Sequence, residues 1–269
     1  MQKPYIGITD FETFEQVREM LVFFNENKSG NMHHLHVGVM CSRKTINGEH
    51  SRWGDIWPKR EHLGRIFSVS GPRFPIINCL HYADKFGNGV NRSYHDVYMS
   101  LLKAVGYAGP FLDALQLDMV WPDFVAIDTV RKMHRHPFKV ILQIDATAFD
   151  MVDNSPRKLV DKLCEYDGNV HYVLLDKSAG EGKLMDTEFL LPFLHQITKD
   201  LPRLGIAVAG GLGPDTMDVV RPIVEEFPYV SIDAQGRLRS SGDARDPIDW
   251  DIAKKYLLEA IKIFKEYNK

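Results

Sequence analysis

The sequence is poor in the features that mark several classes of protein. Only three of its 269 residues are cysteines, Cys41, Cys79 and Cys164. Their number is odd and their spacing is not that of a zinc site, so neither a disulfide scaffold nor a cysteine metal centre is expected, and a reduced, cytosolic chain is the simplest reading. No apolar run is long enough to span a bilayer, which argues against a membrane partner. The opening "MQKPYIGITD" lacks a signal-peptide core. Neither sign of charge dominates: the net charge is −3 and the pI about 6.4. Nucleic acid is therefore not an expected partner. Low-complexity tracts and linkers are missing too, so one domain over residues 1–269 is expected. A homo-oligomer is left open.

What the sequence does have is a 44% hydrophobic content, ample for a large core, and a strict rhythm. Short Val- and Ile-rich runs fall at 5–9, 35–41, 75–82, within 112–120, and at 139–146, 170–176, 205–210 and 229–234. Each is followed by a segment with helical spacing: 11–27, 61–68, near 93–105, near 123–134, 156–166, 186–200, from Pro214 to Phe227, and 248–267. Such alternation implies a parallel sheet. Eight units of this size predict an α/β fold, a single (β/α)8 TIM barrel with a long loop after strand 2; an open doubly wound sheet is the alternative.

A barrel of this kind carries its chemistry at the carboxyl ends of the strands. The residues that fall there are Asp10, Cys41, Arg43, His81, Asp84, Asp118, Asp145 and Asp176, with Asp233 and Gln235 after strand eight. Some of these acids are expected as ordinary helix caps. The cluster "MHHLH" (His33, His34, His36) resembles a metal site, but it lies at the amino end of strand two, and neither metal nor cofactor is expected. His171 and His195 read as structural.

Two glycine loops look suited to an anion. "AGGLGPDT" (209–216) carries Gly210, Gly211 and Gly213 ahead of a helix, and "DAQGRLR" (233–239) carries Gly236 beside Arg237 and Arg239. They follow strands seven and eight, where such barrels bind phosphate. "LLDKSAGEGK" (174–183) places Asp176 at a strand end, with Tyr172 and Leu174 on the same face, followed by Gly180, Gly182 and Lys183. After strand two, "CSRKTINGEHSRWGDIWPKR" (41–60) carries Arg43, Lys44, Arg52, Lys59 and Arg60. Its length predicts a lid that brings a cation to the mouth.

These segments resemble phosphoribosylanthranilate isomerase, the tryptophan-pathway (β/α)8 enzyme. "GIT" (7–9), "LQLD" (115–118), "LLDKSAGEGKLMD" (174–186) and "AVAGGLGPDTMDVVRP" (207–222) carry the likeness. It implies a small phosphorylated substrate and an aldose-to-ketose (Amadori) rearrangement. It implies Asp176 as the general acid, and Gly210, Gly211 and the strand-eight loop as the phosphate cradle. Arg43 or Arg52 would replace a family arginine. The family base is a Cys one residue before the first-strand glycine, where this chain has Ile6, and the family's strand-four His becomes Asp118. A gapless match on Gly236 puts the family's strand-eight Asp on Ile232, one residue before Asp233.

If the chain is active, the base must come from Asp10, Cys79, Asp118 or Asp145. Two other readings stay open. One is a phosphosugar lyase or aldolase with Lys177 or Lys183 as a Schiff-base amine. The other is a non-catalytic barrel kept for binding or assembly.

Overall fold

The computed structural model describes residues 2–28, 33–51, 56–71, 74–84, 93–178, 183–243 and 245–267. Eight parallel strands close into a barrel in the order of the chain. They are β1 (Tyr5–Thr9), β2 (His34–Ser42), β3 (Ile76–Ala83), β4 (Ala114–Asp118), β5 (Lys139–Asp145), β6 (Tyr172–Asp176), β7 (Gly205–Ala209) and β8 (Ser231–Ala234). The helices are α1 (Phe14–Asn27), α2 (Arg43–Asn47), α3 (Leu63–Ile66), α4 (Tyr94–Ala108), α5 (Phe124–Met133), α6 (Ala146–Asp150), α7 (Pro156–Cys164), α8 (Thr187–Asp200), α9 (Arg221–Glu226) and α10 (Trp250–Tyr267). The chain is thus a (β/α)8 TIM barrel. Among the described residues, no helix is long and apolar enough to cross a membrane.

Alternation along each strand divides the apolar side chains into two cores. Ile6, Ile8, Val37, Val39, Leu115, Leu142, Val173 and Ile232 point outward and join the helices in a large outer cluster. Tyr5, Ile77, Cys79, Ala114, Ile141, Tyr172, Leu174 and Ala207 fill the barrel. Large and small residues interlock inside: a Cβ at Gly205 would lie 2.3 Å from Cδ1 of Tyr172.

The helices start where the sequence supplies caps. Thr13 forms a capping box with Gln16, and the side chains of Ser93, Asp123, Ser155 and Asp186 accept from backbone N–H groups of α4, α5, α7 and α8. Two expectations need correction. The helix foreseen from Pro214 to Phe227 is a 3-10 turn, Pro214–Val220, followed by α9. The described part of the segment after β2 is also not a lid. It folds into α2, Ile46 is buried in the outer core, Lys103 of α4 donates to Asn47 at 3.2 Å, and Arg60 lies over the Tyr107 ring of α4. Its apolar side is satisfied on the outside of the barrel. Arg52 lies outside the described residues.

Candidate active site

The carboxyl ends of the strands hold a buried polar layer. Asp176, the last residue of β6, points inward in phase with Tyr172 and Leu174. Its Oδ1 accepts from the backbone N–H (3.0 Å) and hydroxyl (2.6 Å) of Ser178. Its Oδ2 accepts from Nε2 of Gln143 on β5 at 3.3 Å. Gln116 on β4 in turn donates to Oε1 of Gln143 at 3.0 Å and contacts Nδ1 of His81 on β3 at 3.2 Å. A hydrogen-bonded chain therefore crosses four strands from His81 to Asp176.

A second carboxylate sits two strands away. Asp233 of β8 points inward, while Ile232 faces the outer core. The Thr9 hydroxyl bridges both of its oxygens, at 3.2 and 3.1 Å. A Cβ added at Gly7 would lie 2.5 Å from Asp233 Oδ1 and 3.1 Å from His36 Nδ1. Gly7 is needed here because the space over it belongs to the neighbouring carboxylate. Burial first, then the negative charges of Asp176 and Asp10, push Asp233 up to about 7, against the opposing pull of the Thr9 and Ala234 hydrogen bonds. A carboxyl poised near neutrality exchanges a proton in either direction.

The other residues singled out from the sequence separate into distinct surroundings. Asp10 is buried at φ 92°. Its Oδ2 is ion-paired with the Arg239 guanidinium and accepts from Gln235 at 2.9 Å. Burial raises its pKa and Arg239 opposes the rise. Arg239 also donates to the backbone oxygens of Gln235 and Asp246, so it staples the segment after β8 to the end of β1. Asp118 ends β4, buried and in phase with inward Gln116. Asp145 is the N-cap of α6: its Oδ1 accepts from the Ala148 N–H at 2.9 Å, the ordinary role of an acid at that position. Burial raises the Cys79 thiol well above its usual range, which makes it a poor base. Lys177 turns away and places Nζ 3.6 Å over the Phe189 ring of α8, so the barrel interior holds no Schiff-base amine from that residue.

Around β7 the chain turns through Gly210 (φ 127°) and Gly211 (φ 61°), conformations open to glycine. The Gly213 N–H donates to the Thr216 hydroxyl at 2.9 Å, a hydrogen bond within the turn. A Cβ at Gly213 would lie 2.9 Å from the Arg237 Cβ, and the loops after β7 and β8 therefore touch. Gly236 opens the 3-10 turn Gly236–Leu238 between them. Lys183 is exposed ahead of α8. Arg43, at the end of β2, pairs with Glu49 at 3.6 Å. Gly180 and Gly182 lie outside the described residues. A cavity of about 330 Å³ lined by Tyr166, His171, Leu201 and Arg203 opens near the amino ends of β6 and β7, opposite this layer. Among the described residues, no group of three or more His, Cys, Asp or Glu is placed to hold a metal.

Two placements were unreadable from strand position alone. Ile6 faces outward, so the interior position on β1 is Gly7. His36 looks remote because it lies near the amino end of β2. Gly7 nevertheless pairs with both His36 and Asp233, because strands in a closed barrel tilt and their registers drift along the axis. Inward alternation in "SIDA" was the signal that would have added Asp233, already noted at strand eight, to the candidate bases.

No protein-family model matches the chain, and no curated protein matches its sequence. Solved structures do resemble it. A phosphoribosyl anthranilate isomerase in complex with reduced 1-(o-carboxyphenylamino)-1-deoxyribulose 5-phosphate is 15% identical, with a TM-score of 0.55, over 96% of this chain and 99% of that one. Phosphoribosyl anthranilate isomerase from Thermotoga maritima is 16% identical, with a TM-score of 0.58, over 98% of this chain and 99% of that one. At these identities the likeness establishes a shared fold over nearly the whole length.

Proposed function

We propose that this barrel binds a phosphorylated sugar derivative at its carboxyl face and isomerises it from an aldose to a ketose form by proton transfer. The observation that carries the reading is the pair of buried, inward carboxyls, Asp176 on β6 and Asp233 on β8, flanking the glycine turn after β7. Asp176 acts as the general acid. It protonates the ring oxygen as the C1–O bond breaks; where C1 carries nitrogen, the nitrogen lone pair forms C1=N and the open-chain protonated imine results, and where C1 carries a hydroxyl the open aldehyde results. Asp233 acts as the base: it removes the C2 proton, the C–H pair forms C1=C2 while the C1=N pair returns to nitrogen to give the enolamine, and protonation at C1 with loss of the C2 hydroxyl proton gives the ketone. Asp233 occupies the space above Gly7, next to the position where the resembling family has its Cys, which gives the chain a base without a thiol. The backbone around Gly210, Gly211 and Gly236 holds the phosphate, with Lys183 adding charge.

The solved isomerase whose ligand carries a phosphate supports the ligand class and the fold supports the face. The test is turnover of phosphoribosylanthranilate and of simpler aldose phosphates by purified protein. Ketose product from either supports the reading. Absence of product from all of them, together with no binding of inorganic phosphate, overturns it.

A further inference from the structure

We propose that His36 is the positioning residue for Asp233: when the carboxyl gives up its proton the imidazole takes one up, and the pair presents a carboxylate to the substrate without a net buried charge. The role in catalysis rests on the isomerase reading, whereas the coupling itself does not. The geometry is specific. His36 Nδ1 and Asp233 Oδ1 both lie within 3.1 Å of one point, the Cβ position of Gly7. The imidazole is fully buried, and both of its nitrogens lack a hydrogen-bond partner. The ring is held by stacking on Tyr5 at 4.5 Å with 19° between planes. A residue kept only for packing would be apolar, since two unmet polar atoms in a core cost about 1–3 kcal/mol each.

The other groups that act on Asp233 cannot neutralise it. Thr9 of β1 donates a hydrogen bond but carries no charge. Tyr5, Cys79 of β3 and Tyr256 of α10 are held neutral by burial. Asp176 of β6 and Asp10 are acids that raise Asp233 and supply no positive charge, and Arg239 is committed to Asp10. His36 of β2 is the basic group that shares the space over Gly7 with the carboxylate, with no hydrogen bond or ion pair between the two. Burial by itself lowers His36 to about 3 and raises Asp233 to about 7. Charging both together offsets the cost that each meets alone, and the two then titrate as a unit. The proton balance is simple: Asp233 carboxyl plus neutral imidazole becomes carboxylate plus imidazolium.

The experiment is nitrogen NMR of histidine-labelled protein between about pH 4 and 8, comparing wild type with Asp233→Asn. In wild type the His36 ring is expected to carry both protons once Asp233 has ionised. In Asp233→Asn its protonation midpoint should fall by at least about one pH unit, a tenfold loss of proton affinity. A His36 ring that stays neutral throughout, or whose midpoint does not move in Asp233→Asn, overturns the coupling. His36→Phe keeps the ring packing and gives the converse readout: the Asp233 carboxyl carbon should titrate at higher pH, and an unmoved midpoint counts against the pair. No substrate is used, so absence of turnover would reject the isomerase reading without affecting this result, and the reverse also holds.

Discussion

The two ends of the barrel interior are both built of buried residues and on opposite principles. At the amino end, Tyr5, Tyr172, Ile77 and Ile141 interlock with Gly205 and Ala207, and the polar atoms present are neutral. Burial there is favourable, because each ring removes a large apolar area from water. At the carboxyl end, Asp10, Asp118, Asp176 and Asp233 are buried beside Gln116, Gln143 and His81. Burial there opposes folding, since a carboxylate out of water needs partners or a proton. The difference teaches where this molecule carries its stability and where it carries unfavourable groups for another use. Asp10, held at φ 92°, adds backbone strain to the same end.

The sharpest break of that contrast is Asp176→Asn. The amide keeps the shape, and its one oxygen can still accept from Ser178; its NH2 replaces the oxygen that accepts from Gln143, so one hydrogen bond is lost and the fold should persist. Loss of a general acid predicts a fall of about a hundredfold to ten-thousandfold in isomerase rate. The measurement is kcat on a substrate the wild type turns over, with circular dichroism as the control. Unchanged kcat would move the acid elsewhere in the layer.

The counterpart at the other end is Tyr172→Ala. The ring is buried, packs against Gly205, and donates from its hydroxyl to the Lys3 carbonyl at 2.7 Å. Removing it should cost about 3–5 kcal/mol by leaving a cavity and an unmet acceptor. Urea unfolding checks this. A loss under about 1 kcal/mol would mean that the barrel floor collapses to fill the gap, and that the two ends differ less than their contacts imply.

The pH dependence of stability separates the ends by sign. The native fold raises Asp233 from an ordinary carboxyl value to about 7, so between those values it binds a proton that the unfolded chain has lost. Its contribution is present below about pH 4 and is lost as pH rises through about 7. His33, His34, His36 and His171 are lowered to about 4, 4, 3 and 4 by burial. Their contribution is present above about pH 6.5 and is lost as pH falls toward 4. Asp233→Asn should therefore be more stable than wild type at about pH 8 and should lose that advantage near pH 4. The gain has a ceiling of about 4 kcal/mol, since each tenfold change in proton affinity is worth about 1.4 kcal/mol. Charge sharing with His36 would reduce it. Unfolding curves that show no pH-dependent difference between the two proteins would place Asp233 in contact with water.

Much of this was open to a reader of the sequence, for physical reasons. Strand and helix periods differ, so eight alternating units could be counted, and Asp176 could be put on the inner face from its spacing to Tyr172 and Leu174. What could not be read is whatever depends on register between distant strands. Ile6 reads as a missing base when only β1 itself is considered, whereas the phase of β1 against β8 turns Ile6 outward and brings Asp233 over Gly7. His36 reads as distant because barrel tilt is invisible in a strand written flat. The segment after β2 reads as a lid because length alone cannot distinguish a mouth cover from a strap, and the described residues Asn47 and Arg60 lie against α4.

The smallest expected effect tests that last point. Arg43 stands at the end of β2, and its ion pair with Glu49 at 3.6 Å is well exposed on both sides, at 38% and 44%. An exposed pair contributes about 0–1 kcal/mol because water screens it and two long side chains lose freedom in forming it. Arg43→Ala should therefore shift the urea midpoint little, and phosphate affinity should change less than about threefold if α2 stays on the outer face. The decisive comparison is phosphate titration of Arg43→Ala beside Lys183→Ala. A loss of tenfold or more, equal to about 1.4 kcal/mol, in Arg43→Ala alone would show that this cation reaches the ligand. The segment after β2 would then belong to the carboxyl-end chemistry after all, and its packing on α4 would describe only the state without substrate.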